Sequence, residues 1–300
     1  MNIDYVYSMP HFVQPGETIH SEDYHIYCGG KGLNQSIAAA RAGAKIIHAG
    51  MCGNGGELLL NFLNENKVDT SFVGRPDIPQ GHALIQVAKS GENCIILYPG
   101  SNNAVTREYV DRVLASQKAP QYIMLQNEIS EVDYIINAAY EKGFKVVLNA
   151  SPIDEALLKT DLSKVEWLLV NEIEGGCFTG EEDPERIIAG LKKLSPNTGI
   201  VLTLGKKGSI CAKDDLMIHQ GIFEVDAVDT TAAGDTFTGY FVAALDSGLP
   251  VGEALLRATA ASAISVIRPG AGPSIPFSEE TEKFILERSR KFQKGFLNGQ

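Results

Sequence analysis

The stretch "AVDTTAAGDTFTG", residues 227–239, sets one acid, Asp235, behind two alanines and a glycine and ahead of a helical run. If a helix starts near Gly234, the amides of Ala233, Gly234 and Asp235 are first-turn donors without helical partners. The helix dipole favours an anion at that end, and small side chains let a phosphate reach the backbone. An acid in the same turn weakens anion binding, so it needs a reason of its own. One is general-base chemistry: a carboxylate takes the proton from an attacking hydroxyl while the amides hold a phosphoryl group. The other is a helix cap over small packed residues.

Three more stretches have chemical potential, each with a plainer alternative. In "YCGGKGLNQSIAAARAG" (27–43), Gly29, Gly30 and Gly32 permit close backbone approach before a helix starting near Leu33, and Lys31 and Asn34 can donate to a polyol. The alternative is a glycine-rich turn with a solvated lysine. In "LLVNEIEGGCFTG" (168–180), Asn171 ends a buried run and Glu174 follows three residues on. Ligands of α/β sheets bind beyond strand carboxyl ends, where this pair can reach a hydrated Mg²⁺ or a phosphate oxygen. An N-cap with an acidic first turn is the other reading. "TLGKKG" (203–208), with Gly205 and Gly208, either folds over a nucleotide or is simply a loop. No G-x-x-x-x-G-K-[ST] P-loop exists in the chain.

The elements that must position these residues alternate. "YIMLQN" (122–127), "KVVLNA" (145–150), "EWLLVN" (166–171) and "GIVLTLG" (199–205) are strand-like. Between them lie helical patterns at 130–143, with Ser130 as N-cap and Gly143 after the last turn, and at 183–194, with Pro184 in the first turn. This βαβα rhythm predicts a mainly parallel sheet flanked by helices. "GHALIQVAKSGENCIILY" (81–98) predicts a hairpin around "KSGEN", a small antiparallel excursion suited to a lid. Residues 208–229 read as short strands at the sheet edge, and 251–267 as a tightly packed helix ending at "RPGAGPS" (268–274).

Composition sets limits. The 300 residues suit one large domain, 44% hydrophobic and 21% charged, with a net charge of −11. That charge argues against nonspecific binding to nucleic acid or to acidic membranes. Five scattered cysteines, with no C-x-x-C pair, fit a reducing compartment and small core residues rather than a zinc site. No apolar run has the length of a membrane span and no signal peptide is visible, so the expected location is the cytoplasm.

Taken in order, "GGKGLNQ", "NEIE" and "DTTAAGDTFTG" resemble the motifs of the ribokinase (PfkB-type) family of carbohydrate kinases, and the resemblance runs from Asn2 to about Phe277. It implies an α/β, ribokinase-like fold: a central mainly parallel sheet flanked by helices, with a small β-sheet lid from about 2–12 and 70–98. It implies transfer of the ATP γ-phosphoryl group to a sugar hydroxymethyl oxygen, most typically of ribose, with deoxyribose, another sugar or a nucleoside as alternative acceptors. A non-catalytic sugar or nucleotide sensor is the reading from another class.

By the same resemblance, Asp235 is the base and the amides at 233–235 form the anion hole. The sugar site falls on Asn2, Asp4, Gly30, Lys31, Gly32, Asn34, Glu128 and Asp235. The ATP site falls on Asn171, Glu174, Thr203, Gly205, Lys206, Gly208, Gly234 and Thr259, with Glu174 linked to Mg²⁺ through water. A K⁺ site falls on Asp229, Thr231, Ser265, Arg268, Gly270 and Ser274, mostly through backbone carbonyls. A homodimer through the lid is also implied. One departure stands out. Members of the family usually carry an apolar strand before the "N-x-D" segment, whereas here Met1 directly precedes Asn2, so that strand is expected either to be missing or to be encoded upstream of this start. Asn2 and Asp4 are therefore expected on a frayed terminus.

Overall fold

The computed structural model describes residues 1–297, with side chains to Arg288. Its strands are β1 (Asn2–Met9), β2 (Asp23–Gly29), β3 (Ile47–Met51), β4 (Asp69–Gly74), β5 (His82–Ala88), β6 (Asn93–Tyr98), β7 (Tyr122–Gln126), β8 (Lys145–Asn149), β9 (Trp167–Asn171), β10 (Gly199–Thr203), β11 (Ser209–Lys213) and β12 (Leu216–Gln220). Its helices are α1 (Lys31–Arg41), α2 (Glu57–Glu65), α3 (Arg107–Ser116), α4 (Val132–Glu141), α5 (Glu172–Thr179), α6 (Pro184–Leu194), α7 (Ala233–Asp246), α8 (Val251–Ser265) and α9 (Ser278–Leu297).

The main sheet has the order β12-β11-β10-β9-β8-β7. Its strands β7 to β10 are parallel, and β11 and β12 close it as an antiparallel edge. The apolar runs read from the sequence form its centre, because strands covered by helices on both faces need apolar side chains on both. Along β8, Val146 and Leu148 enter one core with α3, α4 and α6, while Val147 enters the other with α1, α7 and α8. Helix α6 starts as expected, with Pro184 in its first turn and the Asp183 side chain accepting from the Arg186 amide at 3.1 Å. Helix α4 does not use Ser130 as its cap. Glu131 holds that place in a left-handed conformation, and the Ser130 hydroxyl instead donates to the Val105 carbonyl at 2.7 Å.

The lid is a second sheet of order β2-β1-β5-β6. The predicted hairpin is present as β5 and β6. Two details differ from the sequence reading. Residues 23–29 supply a lid strand, whereas 69–74 leave the lid and pair in parallel with β3 as a separate two-stranded sheet. Nor is the N-terminus frayed. Strand β1 is internal to the lid, antiparallel to β2 and parallel to β5, and Met1 and Asn2 are buried. The Asn102 side chain ties both down, accepting from the Met1 ammonium at 3.1 Å and donating to Asn2 Oδ1 at 2.7 Å.

The two-stranded sheet and the main sheet do not join. Among the described residues β3 pairs only with β4 and β7 only with β8, and a cavity of about 410 Å³ lined by both strands lies between them. Among the described residues, no helix is long and apolar enough to cross a membrane. Cys28, Cys52 and Cys211 are buried and free, as expected for small core residues, while Cys94 and Cys177 are exposed.

Candidate active site

Helices α1 and α7 cross so closely that a Cβ on Gly239 would lie 2.4 Å from the Ala38 side chain. The absence of that atom lets the N-terminal turns of the two helices meet. Trp167 of β9 packs edge-on against Phe241 of α7 at 5.2 Å, fixing the helix to the sheet. Asp235, in the first turn of α7, is thereby held against α1. Its Oδ2 accepts from Asn34 Nδ2 at 2.9 Å and its Oδ1 from Gln35 Nε2 at 3.0 Å. Gln126 Nε2 donates to Gln35 Oε1, which orients the Gln35 amide with its donors towards Asp235. Burial pushes the Asp235 carboxyl up from its ordinary value, opposed by the charge of Lys31 and by the two amide donors.

Residue Ala232 enters α7 at φ 59°, a left-handed conformation uncommon outside glycine. The three first-turn amides are not equivalent. Ala233 N donates to the Thr230 carbonyl at 3.2 Å, which corrects the expectation of three free donors. Among the described residues, the Gly234 and Asp235 amides have no backbone partner. They border a cavity of about 220 Å³ that also receives Lys31, Asn149, Asn171, Glu174 and Thr203. The end of β9, the end of β10 and the start of α7 thus converge where sheet topology places ligands.

Asn171 and Glu174 form a reciprocal capping box. Asn171 Oδ1 accepts from the Glu174 amide at 2.8 Å, and Glu174 Oε2 accepts from the Asn171 amide at 2.9 Å. The cap reading is therefore correct, and it coexists with a place on the cavity wall. Among the described residues the second carboxylate oxygen of Glu174 has no hydrogen-bond partner, which suits an ion that retains waters and takes few carboxylates. Gly205, Lys206 and Gly208 lie past β10 and Thr259 lies in α8, none of them lining this cavity.

On the lid side, Gly30 stands at φ 86°, and a Cβ there would come within 2.8 Å of the Asn2 amide nitrogen. Glycine is required on both counts. Gly32 faces Gln126, whose Oε1 would lie 3.1 Å from a Cβ. The Lys31 amide donates to Glu128 Oε2 at 2.8 Å. Burial, helped by the neighbouring Glu128, pushes Asp4 up to about 7, against the pull of the Met1 ammonium. Burial also raises Glu128, opposed by the same ammonium and by Lys31. Asp4, Glu128 and Asp235 thus form one electrostatically linked cluster of carboxylates under the lid.

Of the expected cation residues, Asp229 accepts from the Thr231 amide and hydroxyl at 2.9 and 2.6 Å and from the Gly270 amide at 2.9 Å. Burial pushes Asp229 up, but these hydrogen bonds outweigh it and hold the carboxyl below its ordinary value. The Gly270 contact binds the 229–231 turn to the 268–274 loop. The Arg268 side chain turns away to Glu280 at 2.7 Å, and the Ser265 and Ser274 hydroxyls donate to their own turns. Several backbone carbonyls of these segments already accept amides: Thr230 from Ala233 at 3.2 Å, Val266 from Asp229 at 3.1 Å and Ser265 from Arg268 at 3.1 Å.

Sequence reasoning missed Gln35, Gln126, Asn102 and Asn149. Gln35 adjoins Asn34 inside "GGKGLNQ", so its motif was visible. The other three lie on strands or turns whose sequences read as ordinary, and only the fold brings them to the site.

A family model described as "pfkB family carbohydrate kinase" matches residues 1–278. A ribokinase of Haemophilus influenzae is 38% identical over 295 residues, covering 95% of this chain and 96% of the relative. A deoxyribokinase of Salmonella typhi is 30% identical over 295 residues, covering 94% of each. The structure of an Arabidopsis thaliana ribokinase complexed with ribose and ATP superposes with a TM-score of 0.83 at 28% identity, covering 95% of this chain and 96% of that one.

Proposed function

The chain belongs to the pfkB family of carbohydrate kinases, and from that premise we propose that it transfers the γ-phosphoryl group of ATP to the hydroxymethyl oxygen of D-ribose, giving D-ribose 5-phosphate. The observation that carries this reading is the pairing at the start of α7. A buried carboxylate, Asp235, is clamped by two side-chain amides beside two backbone amides without partners. Asp235 takes the proton from the sugar hydroxyl, and the Gly234 and Asp235 amides stabilise the transferred phosphoryl group. Asn2, Asp4, Lys31, Asn34 and Glu128 orient the sugar, and the nucleotide runs from the cavity across Asn171, Thr203 and the loop of Gly205, Lys206 and Gly208, with Thr259 behind it. Phosphoryl transfer depends mostly on such positioning and charge.

Glu174 would hold the water shell of a Mg²⁺ ion accompanying ATP, and that ion would neutralise charge on the phosphates. The 229–231 turn and the 265–274 segment would hold K⁺ through backbone carbonyl oxygens, and the ion would add positive charge beside the anion hole. A second copy covers the lid edge: among the described residues β6 pairs only with β5, and it exposes Ile95, Ile96 and Leu97, each at least half exposed. An apolar edge strand of this kind is a template for self-association.

The test is ATP consumption over a panel of ribose, 2-deoxyribose, hexoses and nucleosides, repeated with Asp235→Asn. Ribose-dependent turnover that falls by about 10²–10⁴-fold in the variant is expected for loss of a general base. Preference for 2-deoxyribose would transfer the assignment to that sugar, in line with the deoxyribokinase relative. Nucleotide or sugar binding without turnover in the unmodified chain would indicate a sensor.

A further inference from the structure

The peptide between Gly234 and Asp235 faces two ways. Its N–H, on Asp235, borders the cavity at the start of α7, while its C=O, on Gly234, turns along the helix into the molecule. A peptide unit is planar, so whatever holds the carbonyl also aims the N–H. Packing does not hold it: a Cβ on Gly234 would meet nothing within 4 Å beyond its own turn and chain neighbours. Helix α7 is also entered through Ala232 at φ 59°, so no regular turn precedes this peptide. The hold comes from Thr238, one turn on and buried, whose hydroxyl donates to the Gly234 carbonyl at 2.8 Å.

A threonine hydroxyl bonded to the carbonyl four residues back is common in helices. What is particular here is a second bond from outside the helix. Asn149, the last residue of β8, brings its Nδ2 to 3.3 Å from Thr238 Oγ1. The direction follows from counting protons. Thr238 has one hydroxyl proton and gives it to Gly234, so Asn149 is the donor. A donor on the hydroxyl oxygen strengthens that hydroxyl as a donor in turn, and the carbonyl it meets draws electron density from the N–H of the same peptide. Asn149 is itself held by the sheet, opposite Gln126 on β7 and Leu169 on β9. Sheet, hydroxyl and peptide thus form one line that ends at the Asp235 N–H.

We propose that Asn149 and Thr238 are positioning residues of the anion hole: Asn149 holds the Thr238 hydroxyl against the Gly234 carbonyl, and the pair aims and polarises the Asp235 amide towards the transferred phosphoryl group. The inference rests on the phosphoryl transfer proposed above. Each residue acts through the peptide rather than on the substrate. Their effect falls on kcat more than on KM, because the amide is asked for most where charge develops in the transition state.

The experiment joins steady-state kinetics to the NMR signal of the Asp235 amide, both on the full chain. Thr238→Val keeps the shape of the side chain and removes the hydroxyl. Its kcat should fall about tenfold, with KM for ribose and for ATP within about twofold of the parent, and Thr238→Ser should recover most of the loss. Asn149→Leu should lower kcat in the parent and add little in the Thr238→Val background, because it acts through that hydroxyl. The Asp235 amide proton should move upfield in Thr238→Val and in Asn149→Leu, and return towards the parent position in Thr238→Ser. Additive losses in the double variant, or a kcat unchanged by Thr238→Val, overturn the proposal. Should Thr238→Val not fold, Asn149→Asp carries the test, since a carboxylate cannot donate to Thr238 and takes its proton away from Gly234. The Asp235 amide then moves upfield, and an unmoved signal overturns the proposal. The amide signal is read without substrate. A chain that consumes no ATP with any sugar would therefore remove the proposed function, while the signal still decides whether Asn149 and Thr238 act on the Asp235 amide.

Discussion

Replacing Asp4 by Asn tests the carboxylate cluster quantitatively. Asp4 is mostly buried and pushed up from 3.8 to about 7, by burial first and Glu128 second. A carboxyl whose folded value exceeds its unfolded value binds more protons when folded, so its contribution to stability is greatest below the unfolded value. Stability is lost as pH rises towards the folded value near 7, because the charged form must be held under the lid without solvent. Each unit of the difference is worth about 1.4 kcal/mol. Between pH 5 and pH 8 about two units of that titration are crossed, so the parent chain should lose roughly 3 kcal/mol relative to Asp4→Asn. The neutral amide titrates nowhere in this range, so the difference between the two proteins cancels groups outside the cluster and reports Asp4 together with its coupling to Glu128, Asp235 and the Met1 ammonium. Urea unfolding of both at half-unit pH steps, without sugar, gives the curve. A stability difference that stays flat from pH 5 to pH 8 would refute the reasoning, and so would one that grows in the opposite direction. The same variant should weaken ribose binding, because a charged acceptor for a hydroxyl is lost.

Other expectations follow from the same geometry. Gln35→Leu removes a donor that favours the ionised form of Asp235, so the acid limb of the kcat/KM profile should move to higher pH, with activity at neutral pH down about tenfold; an unmoved limb would separate Gln35 from the base. Turnover in K⁺ should exceed that in Na⁺ at equal ionic strength, and equal rates would count against the carbonyl site joined by Asp229 and Gly270. Ile96→Lys, on the lid edge away from Asp235, should shift the sedimentation of a dimer to that of a monomer; unchanged sedimentation would remove β6 from the contact.

Much of the main sheet was legible because its signals are local. Apolar runs of five residues in "KVVLN" and "WLLVN", spaced by amphipathic helices, leave few alternatives for a chain of this size. The capping box of Asn171 and Glu174 was likewise legible, being a contact across three residues. The lid was read less completely. Asp23–Gly29 carries polar and exposed side chains, and its strand character comes from pairing with β1, which no local pattern records. Ser130 lost its expected cap role because the chain turns left-handed at Glu131, which puts the start of α4 one residue later, and the Ser130 hydroxyl donates instead to the Val105 carbonyl, 25 residues away.

The sequence by itself determined the residue types of the site: the acid behind small residues at 232–235, the glycines at 29, 30 and 32, and the asparagine and glutamate at 171 and 174. Each is a property of spacing within a few residues, where backbone geometry alone decides what can approach. Only the tertiary structure decided their electrostatics and their neighbours. Asn34 and Gln35 reach Asp235 across about 200 residues of chain, Asn102 anchors Met1 and Asn2, and β3 and β7 end as open edges on either side of a cavity. Those outcomes depend on how helices cross and sheets align, and long-range packing leaves no local mark in the order of the residues.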